Sequence, residues 1–148
     1  MNADDVVTVE VQHDTLAVNP ETCRLTLLHV FTMEKVQVEL VTLIQSDHST
    51  VRRLNREYLH HDFNTDVLAF RYSDDHHVLE GEIYVDLDMA LERCGEFNAT
   101  FEEEVLRYAI HGALHLAGFS DESREDKRLM RALEDRYLAE IRHFESDN

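Results

Sequence analysis

TFEEEVLRYAIHGALHLAG, residues 100–118, carries the features of one complete helix. Thr100 and Glu103 have the spacing of a capping box, in which two side chains satisfy free N–H groups at a helix start. Gly118 suits the position just after a helix, where a left-handed backbone is common. Apolar residues recur between these ends every three or four positions, at Val105, Tyr108, Ala109, Ala113 and Leu116. The segment therefore predicts a helix with a buried face.

Four short segments outside this helix have the pattern of strands. Period-2 alternation or short apolar runs place them at residues 7–11, 36–44, 67–70 and 81–85. The second of these begins with apolar Val36, Val38 and Leu40, which alternate with polar Gln37 and Glu39. We therefore expect four strands.

Helical spacing and capping residues predict four more helices between and after the strands. They begin at Asn19-Pro20, at Ser46 or Asp47, at Asp86 and at about Ser123. Because helices and strands are interleaved along 148 residues, the chain predicts a single layered domain, residues 1–148, of α+β (α/β-type) class with about five helices.

The charge of the chain is strongly acidic. The formal net charge is -17, and of the 14 basic residues only Lys35 and Lys127 are lysine. Such a surface argues against general binding to nucleic acids or membranes. The acids are scattered through every segment, which also fits a surface adapted to a salty cytoplasm, where charges are screened over a few ångströms. A local basic patch can still bind RNA.

The remaining composition predicts a cytoplasmic protein. No stretch approaches the length of apolar sequence that crosses a membrane, and MNADDVVTVE lacks the basic and apolar regions of a signal peptide. Cys23 and Cys94 have no CxxC spacing, so we expect two reduced thiols.

Two histidines of the decisive helix predict a metal site. His111 and His115 are four residues apart, so their imidazoles project from the same helical face. Gly118 allows the chain to reverse, which can bring Asp121 back toward them. Two imidazoles and one carboxylate leave a coordination position for water, as in catalytic zinc sites. The alternative is a pair of surface histidines, but the residues between them are apolar or small and favour a partly inward face.

The spacing is similar to the HExxHxxGxxH motif of zinc peptidases. Those enzymes need the glutamate after the first histidine as general base, and Gly112 stands at that position here. Glycine has no group that can accept a proton from water. The sequence therefore argues against peptidase activity by that mechanism.

Three blocks together resemble the YbeY-type endoribonucleases, a bacterial rRNA-maturation family. The family motif HGxLHLxGYDH corresponds to HGALHLAGFSD at residues 111–121, and LNxxYRxxDxPTDVLSF corresponds to LNREYLHHDFNTDVLAF at residues 54–70. The family's GDI strand corresponds to Gly81-Glu82-Ile83. The blocks occur in family order, and the resemblance covers about residues 36 to 145.

The resemblance implies a mixed sheet flanked by helices and one Zn²⁺ per chain. It also implies hydrolysis of single-stranded RNA, with ribosomal RNA and the small ribosomal subunit as partners, in 16S rRNA 3′-end maturation and ribosome quality control. We expect a monomer that does not bind membranes.

The chain departs from the family pattern at several positions. Asp121 replaces the usual third histidine ligand, and its negative charge should reduce the Lewis acidity of the ion. Leu59 replaces an arginine suited to clamping phosphate. Arg71 directly follows the second block and ends the strand predicted there. It is our candidate for a replacement guanidinium, and the alternative is a solvated surface residue.

Other catalytic and binding residues are less sharply defined. Asp66 is a candidate general base by resemblance, or a turn residue. Thr65 can donate a hydroxyl to phosphate, or simply begin the strand. The only local concentration of positive charge in the first half of the sequence consists of Arg52, Arg53 and Arg56, which share a helical face. These arginines predict either a phosphate-binding stripe or a solvated face paired with Glu57.

Two other functions are compatible with parts of the same pattern. In one, the metal is a structural clip in a non-catalytic ribosome-assembly factor, which the acidic surface and Leu59 favour. In the other, two histidines and one carboxylate bind iron in an oxygenase. The strand pattern of the chain lacks the run of strands of a jelly-roll barrel, which argues against the oxygenase.

Overall fold

The computed structural model describes residues 6–58, 66–73 and 78–146. Within these ranges the elements are β1 (Val7–Val11), α1 (Pro20–Met33), β2 (Val38–Ser46), α2 (His48–Tyr58), β3 (Val67–Arg71), β4 (Leu79–Asp86), α3 (Leu87–Cys94), a short 3-10 turn (Gly95–Phe97), α4 (Phe101–Leu116) and α5 (Arg124–Ser146). The order of the strands in the sheet is β1-β2-β4-β3. The pairs β1–β2 and β2–β4 are parallel, and β3–β4 is antiparallel. The predicted α+β class, with a mixed four-stranded sheet and five helices, is confirmed.

Helix α4 is the centre of the fold because it packs against β3, β4, α1, α3 and α5. The Oγ1 atom of Thr100 accepts a hydrogen bond from the backbone N–H of Glu103 at 3.1 Å, which caps the start of the helix as predicted. At its end, the N–H of Gly118 donates to the carbonyl of His115 and the N–H of Phe119 donates to the carbonyl of Leu114, both at 3.0 Å. This pair of bonds is a Schellman motif, and Gly118 has the left-handed φ of 108° that it requires.

Gly112 allows α4 to lie directly on the sheet. A Cβ atom at this position would lie 2.6 Å from Cγ2 of Ile83 and 3.2 Å from Cγ2 of Val67. Both neighbours are buried branched side chains of the core and have little freedom to withdraw. The absence of a side chain at residue 112 therefore sets the distance between the helix of the two histidines and strands β3 and β4.

Replacing Gly112 with alanine should lower the free energy of unfolding by about 1–3 kcal/mol, because the new methyl group overpacks the core. Chemical denaturation measures the change. Gly95→Ala is the matched control, since nothing lies within 4 Å of a Cβ atom there. Equal stability of the two variants would contradict this close approach of helix and sheet.

The start of β2 differs from the prediction. The strand begins at Val38 rather than Val36 and ends at Ser46 rather than Ile44. An irregularity in the pairing with β4 between Val38 and Leu40 shifts the alternation by one residue, so that Leu40 is 42% exposed and Val41 is buried. The simple alternation through Leu40 was therefore wrong at that residue.

The predicted helix starts are placed as follows. Asn19 caps α1, with its Oδ1 atom accepting from the N–H of Glu21 at 2.9 Å. Asp47, not Ser46, caps α2 by accepting from the N–H of Thr50 at 2.8 Å. Ser123 caps α5 by accepting from the N–H of Asp126 at 3.0 Å.

The two cysteines are both free thiols. Cys23 lies on the buried face of α1, and burial raises the pKa of its thiol to about 12. Burial thus disfavours the reactive thiolate of Cys23. The two free cysteines agree with the predicted reduced thiols. Among the described residues, no helix is both long enough and apolar enough to cross a membrane.

Candidate metal centre

The structure brings together the three residues that the sequence singled out as metal ligands. His111 and His115 lie on adjacent turns of α4, and their Nε2 atoms are 3.0 Å apart. The turn at Gly118 returns the chain, so that Oδ2 of Asp121 lies 3.3 Å from Nε2 of His111 and 3.4 Å from Nε2 of His115. The ligand-forming atoms of this group therefore form a nearly equilateral triangle.

The size of this triangle suits a small divalent ion. Neighbouring ligand atoms of a tetrahedral zinc ion with bonds of about 2.0–2.1 Å are separated by about 3.3–3.4 Å. The three measured separations, 3.0, 3.3 and 3.4 Å, come close to these values. The three side chains are 22%, 31% and 38% exposed, so the group is accessible from solvent. The triad could hold an ion and leave room for a water molecule or a substrate oxygen.

Glu134 of α5 contacts the far side of the first imidazole. Its Oε2 atom lies 2.7 Å from Nδ1 of His111. Its Oε1 atom accepts from Nη1 of Arg107 at 3.0 Å, and Nη2 of the same guanidinium donates to Asp135 at 2.7 Å. Burial lowers the pKa of His111, but the hydrogen bond and charge of Glu134 outweigh it, and the pKa lies above its ordinary value.

Neither Glu134 nor Arg107 was identified from the sequence. Glu134 occupies the buried stripe of α5, where Met130, Tyr137 and Leu138 are also buried. An acid inside an apolar stripe is unusual, because an unpaired buried carboxylate is costly. That signal was present in the sequence, but it does not name the partner, which lies 23 residues away on another helix.

A cavity of about 540 Å³ opens beside the triad, between α4 and α5. His111 and Asp121 lie in its wall, and so does Asp66. Five cationic side chains also line it: Arg93, Arg107, Lys127, Arg131 and Arg142. Three of them, Lys127, Arg131 and Arg142, belong to α5 and line the space next to the triad. Five acidic side chains line the cavity as well, so charges of both signs are balanced here although the chain as a whole is strongly acidic: Asp66, Glu103, Glu104, Asp121 and Glu134.

Asp66 has a part-buried side chain in this cavity. Its Oδ2 atom lies 3.9 Å from Nη1 of Arg93. Burial raises the pKa of Asp66, and the nearby charges of His111 and Arg93 offset only part of that effect. Its backbone carbonyl accepts from the N–H of Asp86 at 3.0 Å, so the residue also ties β3 to β4. This placement is compatible with a base beside the triad and does not by itself assign the role.

Arg71 is held at the carbonyl end of α4. Its Nη1 atom donates to the carbonyl of Leu116 at 2.6 Å, and its Nε atom donates to the carbonyl of Ser73 at 3.4 Å. The carbonyl that the guanidinium contacts belongs to the residue directly after His115. A bond to a helix carbonyl accounts for its position without a catalytic role, which stays a prediction.

The predicted substrate-binding arginines lie elsewhere. Of the described residues that line the cavity, none belongs to α2, the helix that carries Arg52, Arg53 and Arg56. Arg53 pairs with Glu57 at 3.5 Å on the surface, which favours the solvated-face interpretation for that residue. Thr65 and Leu59 fall outside the described residues.

Comparison with known proteins agrees with this picture. The family model described as Endoribonuclease YbeY matches residues 8–142. The chain belongs to this family. An Endoribonuclease YbeY of Salinibacter ruber is 40% identical over 140 residues, which cover 89% of each chain. Another, of Chlorobium phaeobacteroides, is 37% identical and covers 91% of this chain and 98% of its own.

A solved structure supports the same fold. The solution structure of TM1509 from Thermotoga maritima superposes with a TM-score of 0.65 and 28% sequence identity. The match covers 95% of this chain and 93% of that one. Membership in the YbeY family rests on the sequence matches, and the solved structure shows that the fold is shared.

Proposed function

We propose that the protein is a zinc-dependent, single-strand-specific endoribonuclease that acts in rRNA maturation. The observation that carries the proposal is the triangle of two imidazole nitrogens and one carboxylate oxygen, 3.0–3.4 Å apart, beside a cavity whose wall includes five cationic side chains among its charged residues. The name of the family supports RNA as the substrate. The resemblance favours the 3′ end of 16S rRNA and ribosome quality control as the biological setting.

The roles of the residues follow from their positions. His111, His115 and Asp121 would hold one zinc ion. When bound, zinc lowers the pKa of a coordinated water and polarises a phosphoryl oxygen. Asp66 would accept the proton of the attacking water, and the part-buried setting that raises its pKa increases its proton affinity.

The cationic side chains of the cavity would hold the RNA backbone. Arg131 and Lys127 come from α5, Arg93 comes from α3, and all three reach the wall that His111 shares. Guanidinium and ammonium groups bind phosphate oxygens through charge-assisted hydrogen bonds. The loss of the family arginine at Leu59 is thus offset, on this proposal, by cations from other elements. The secondary candidates for contact with the RNA are Arg71, Arg52, Arg53, Arg56 and Thr65.

The partners follow from the same proposal. We expect ribosomal RNA and the small ribosomal subunit as partners, in the cytoplasm, with residues 1–148 acting as one monomeric domain and no membrane association. The acidic surface would restrict RNA contact to the cavity.

The alternative of a non-catalytic assembly factor with a metal clip is less well supported. The three candidate ligands lie within residues 111–121, so an ion would close a loop of only about ten residues, and short loops gain little from a cross-link. The partly exposed triad is also more open than a closed structural site.

The test combines elemental analysis of purified protein with cleavage of a single-stranded rRNA fragment over a series of salt concentrations. We expect one zinc per chain and cleavage that a chelator abolishes while the protein stays folded. Electrostatic binding of RNA weakens steeply with salt, so the slope reports how many phosphates the cavity contacts. A stoichiometric metal content with no cleavage at any salt concentration would reject the nuclease and favour the assembly factor.

A further inference from the structure

We propose that Glu134, fixed by Arg107, is a positioning residue that orients His111 toward the metal ion. Through this contact, the last helix α5 would contribute to metal affinity although it supplies no ligand. The inference rests on the proposed metal centre and adds a residue that acts through one of its ligands.

The burial of Glu134 is the first observation. Its side chain belongs to the interface of α4 and α5, and the residue is 6% exposed. A carboxylate is placed in such an environment only if its oxygens are satisfied. Both are: Oε1 lies 3.0 Å from Nη1 of Arg107 and Oε2 lies 2.7 Å from Nδ1 of His111. Any other orientation of the Glu134 side chain would therefore leave a buried charge without a partner.

The direction of the hydrogen bond follows from the chemistry of the two groups. An ionised carboxylate can only accept, so Nδ1 of His111 carries the proton and donates it to Glu134. In the neutral imidazole, Nε2 is then unprotonated and its lone pair is free. Nε2 is the atom that lies 3.0 Å from His115 and 3.3 Å from Asp121. The contact therefore selects the tautomer that a metal ion needs at the correct nitrogen.

Arg107 fixes Glu134 in turn. It lies on α4, one helical turn before His111, and its guanidinium bridges two consecutive acids of α5, Glu134 and Asp135. Two carboxylate partners fix the orientation of the planar guanidinium, and this limits the movement of the Arg107 and Glu134 side chains. The contacts from Arg107 through Glu134 to His111 thus begin and end on α4, and α5 contributes the carboxylate between them.

Such contacts influence metal binding in a known way. A carboxylate behind a ligating histidine fixes the ring orientation and increases the basicity of the ligand nitrogen. Loss of such a partner typically weakens metal affinity by about 10- to 100-fold. The expected effect of Glu134 lies in this range.

The test compares Glu134→Ala, Glu134→Gln and Asp135→Asn. Zinc affinity is measured by competition with a chromophoric chelator, and folding of the metal-free proteins is followed by thermal melting. Glu134→Ala should raise the dissociation constant by about 10- to 100-fold. Glu134→Gln should lose less, because its amide oxygen still accepts from Nδ1. Asp135→Asn, which leaves Glu134 in place and keeps an oxygen that can accept from Nη2 of Arg107, is the matched control and should bind zinc like the wild type.

Two results would overturn the inference. One is a Glu134→Ala variant that melts at a lower temperature yet binds zinc with unchanged affinity, which would make Glu134 a structural residue only. The other is an equal loss of affinity in Asp135→Asn.

The tautomer of His111, measured by nitrogen NMR on metal-free protein at a pH where imidazoles are neutral, decides the matter independently of metal. We expect the Nδ1–H form in the wild type and its loss in Glu134→Ala; an Nε2–H form in the wild type would refute the role. If the wild type binds no zinc, the proposed metal centre fails, and the tautomer still shows whether Glu134 orients His111.

Discussion

Replacing His115 with alanine is expected to remove the bound metal and RNA cleavage together. The imidazole is one of three candidate ligands among the described residues, and its Nε2 atom lies 3.0 Å and 3.4 Å from the other two candidate ligand atoms. A catalytic metal contributes several kcal/mol to transition-state stabilisation, so the rate should fall by about 10³-fold or more. Metal content by elemental analysis and the rate of cleavage of a single-stranded rRNA fragment measure the two effects.

A second histidine provides the control. His29 on α1 contacts Glu140 of α5 at 2.9 Å and is not among the described residues that line the cavity. His29→Gln should therefore keep one metal ion per chain and most of the activity. If His115→Ala retained stoichiometric metal and near-normal cleavage, the ligand assignment would be wrong.

Replacing Asp66 with asparagine is the second large effect that we expect. Loss of a general base typically costs about 10²- to 10⁴-fold in rate, while the three metal ligands stay in place. Burial raises the pKa of Asp66, and a base must be deprotonated to act. Activity of the wild type should therefore fall with decreasing pH already above the ordinary range of aspartate, and this acid limb should disappear in Asp66→Asn. Profiles of kcat/KM against pH, with zinc saturating, measure both.

Asparagine at residue 66 distinguishes the two roles that the sequence left open, a general base and a turn residue. Asparagine forms turns as readily as aspartate and preserves the size of the side chain. Its backbone carbonyl would still accept from the N–H of Asp86. A variant with full activity and unchanged metal content would show that Asp66 is a turn residue, and the base would have to be sought elsewhere.

The fold was largely predictable because its signals are local. The capping residues Thr100 and Gly118 mark both ends of α4, and the structure shows the hydrogen bonds that each implies. The strand that begins near Val36 was the exception. Its alternation shifts at Leu40, where an irregularity in the pairing with β4 adds a residue, and no local pattern in a single strand reveals how its partner is aligned.

The candidate ligands were predictable for the same reason. His111 and His115 are one helical turn apart, and Gly118 and Asp121 follow within a few residues. Glu134 and Arg107 were missed because their contacts join two helices that are distant in sequence. The cations of the cavity were missed because alternating charges along α5 do not show which face meets α4.

The arginines illustrate the limits of charge clustering as a signal. Arg53 is close in sequence to two other arginines, yet in the structure it pairs with Glu57 on the surface. Arg93 and Arg131 are 38 residues apart in the sequence and lie on different helices, yet both line the cavity. The packing of the helices brings cations of α3, α4 and α5 to one cavity, and a cluster along the sequence does not report that arrangement.

The most direct test of the central claim is the anomalous scattering of a crystal grown with zinc, recorded at the zinc absorption edge. The account predicts one peak among His111 Nε2, His115 Nε2 and Asp121 Oδ2, about 2.0–2.2 Å from each. A fully zinc-loaded protein whose anomalous peak lies elsewhere, with these three side chains turned apart, would contradict it.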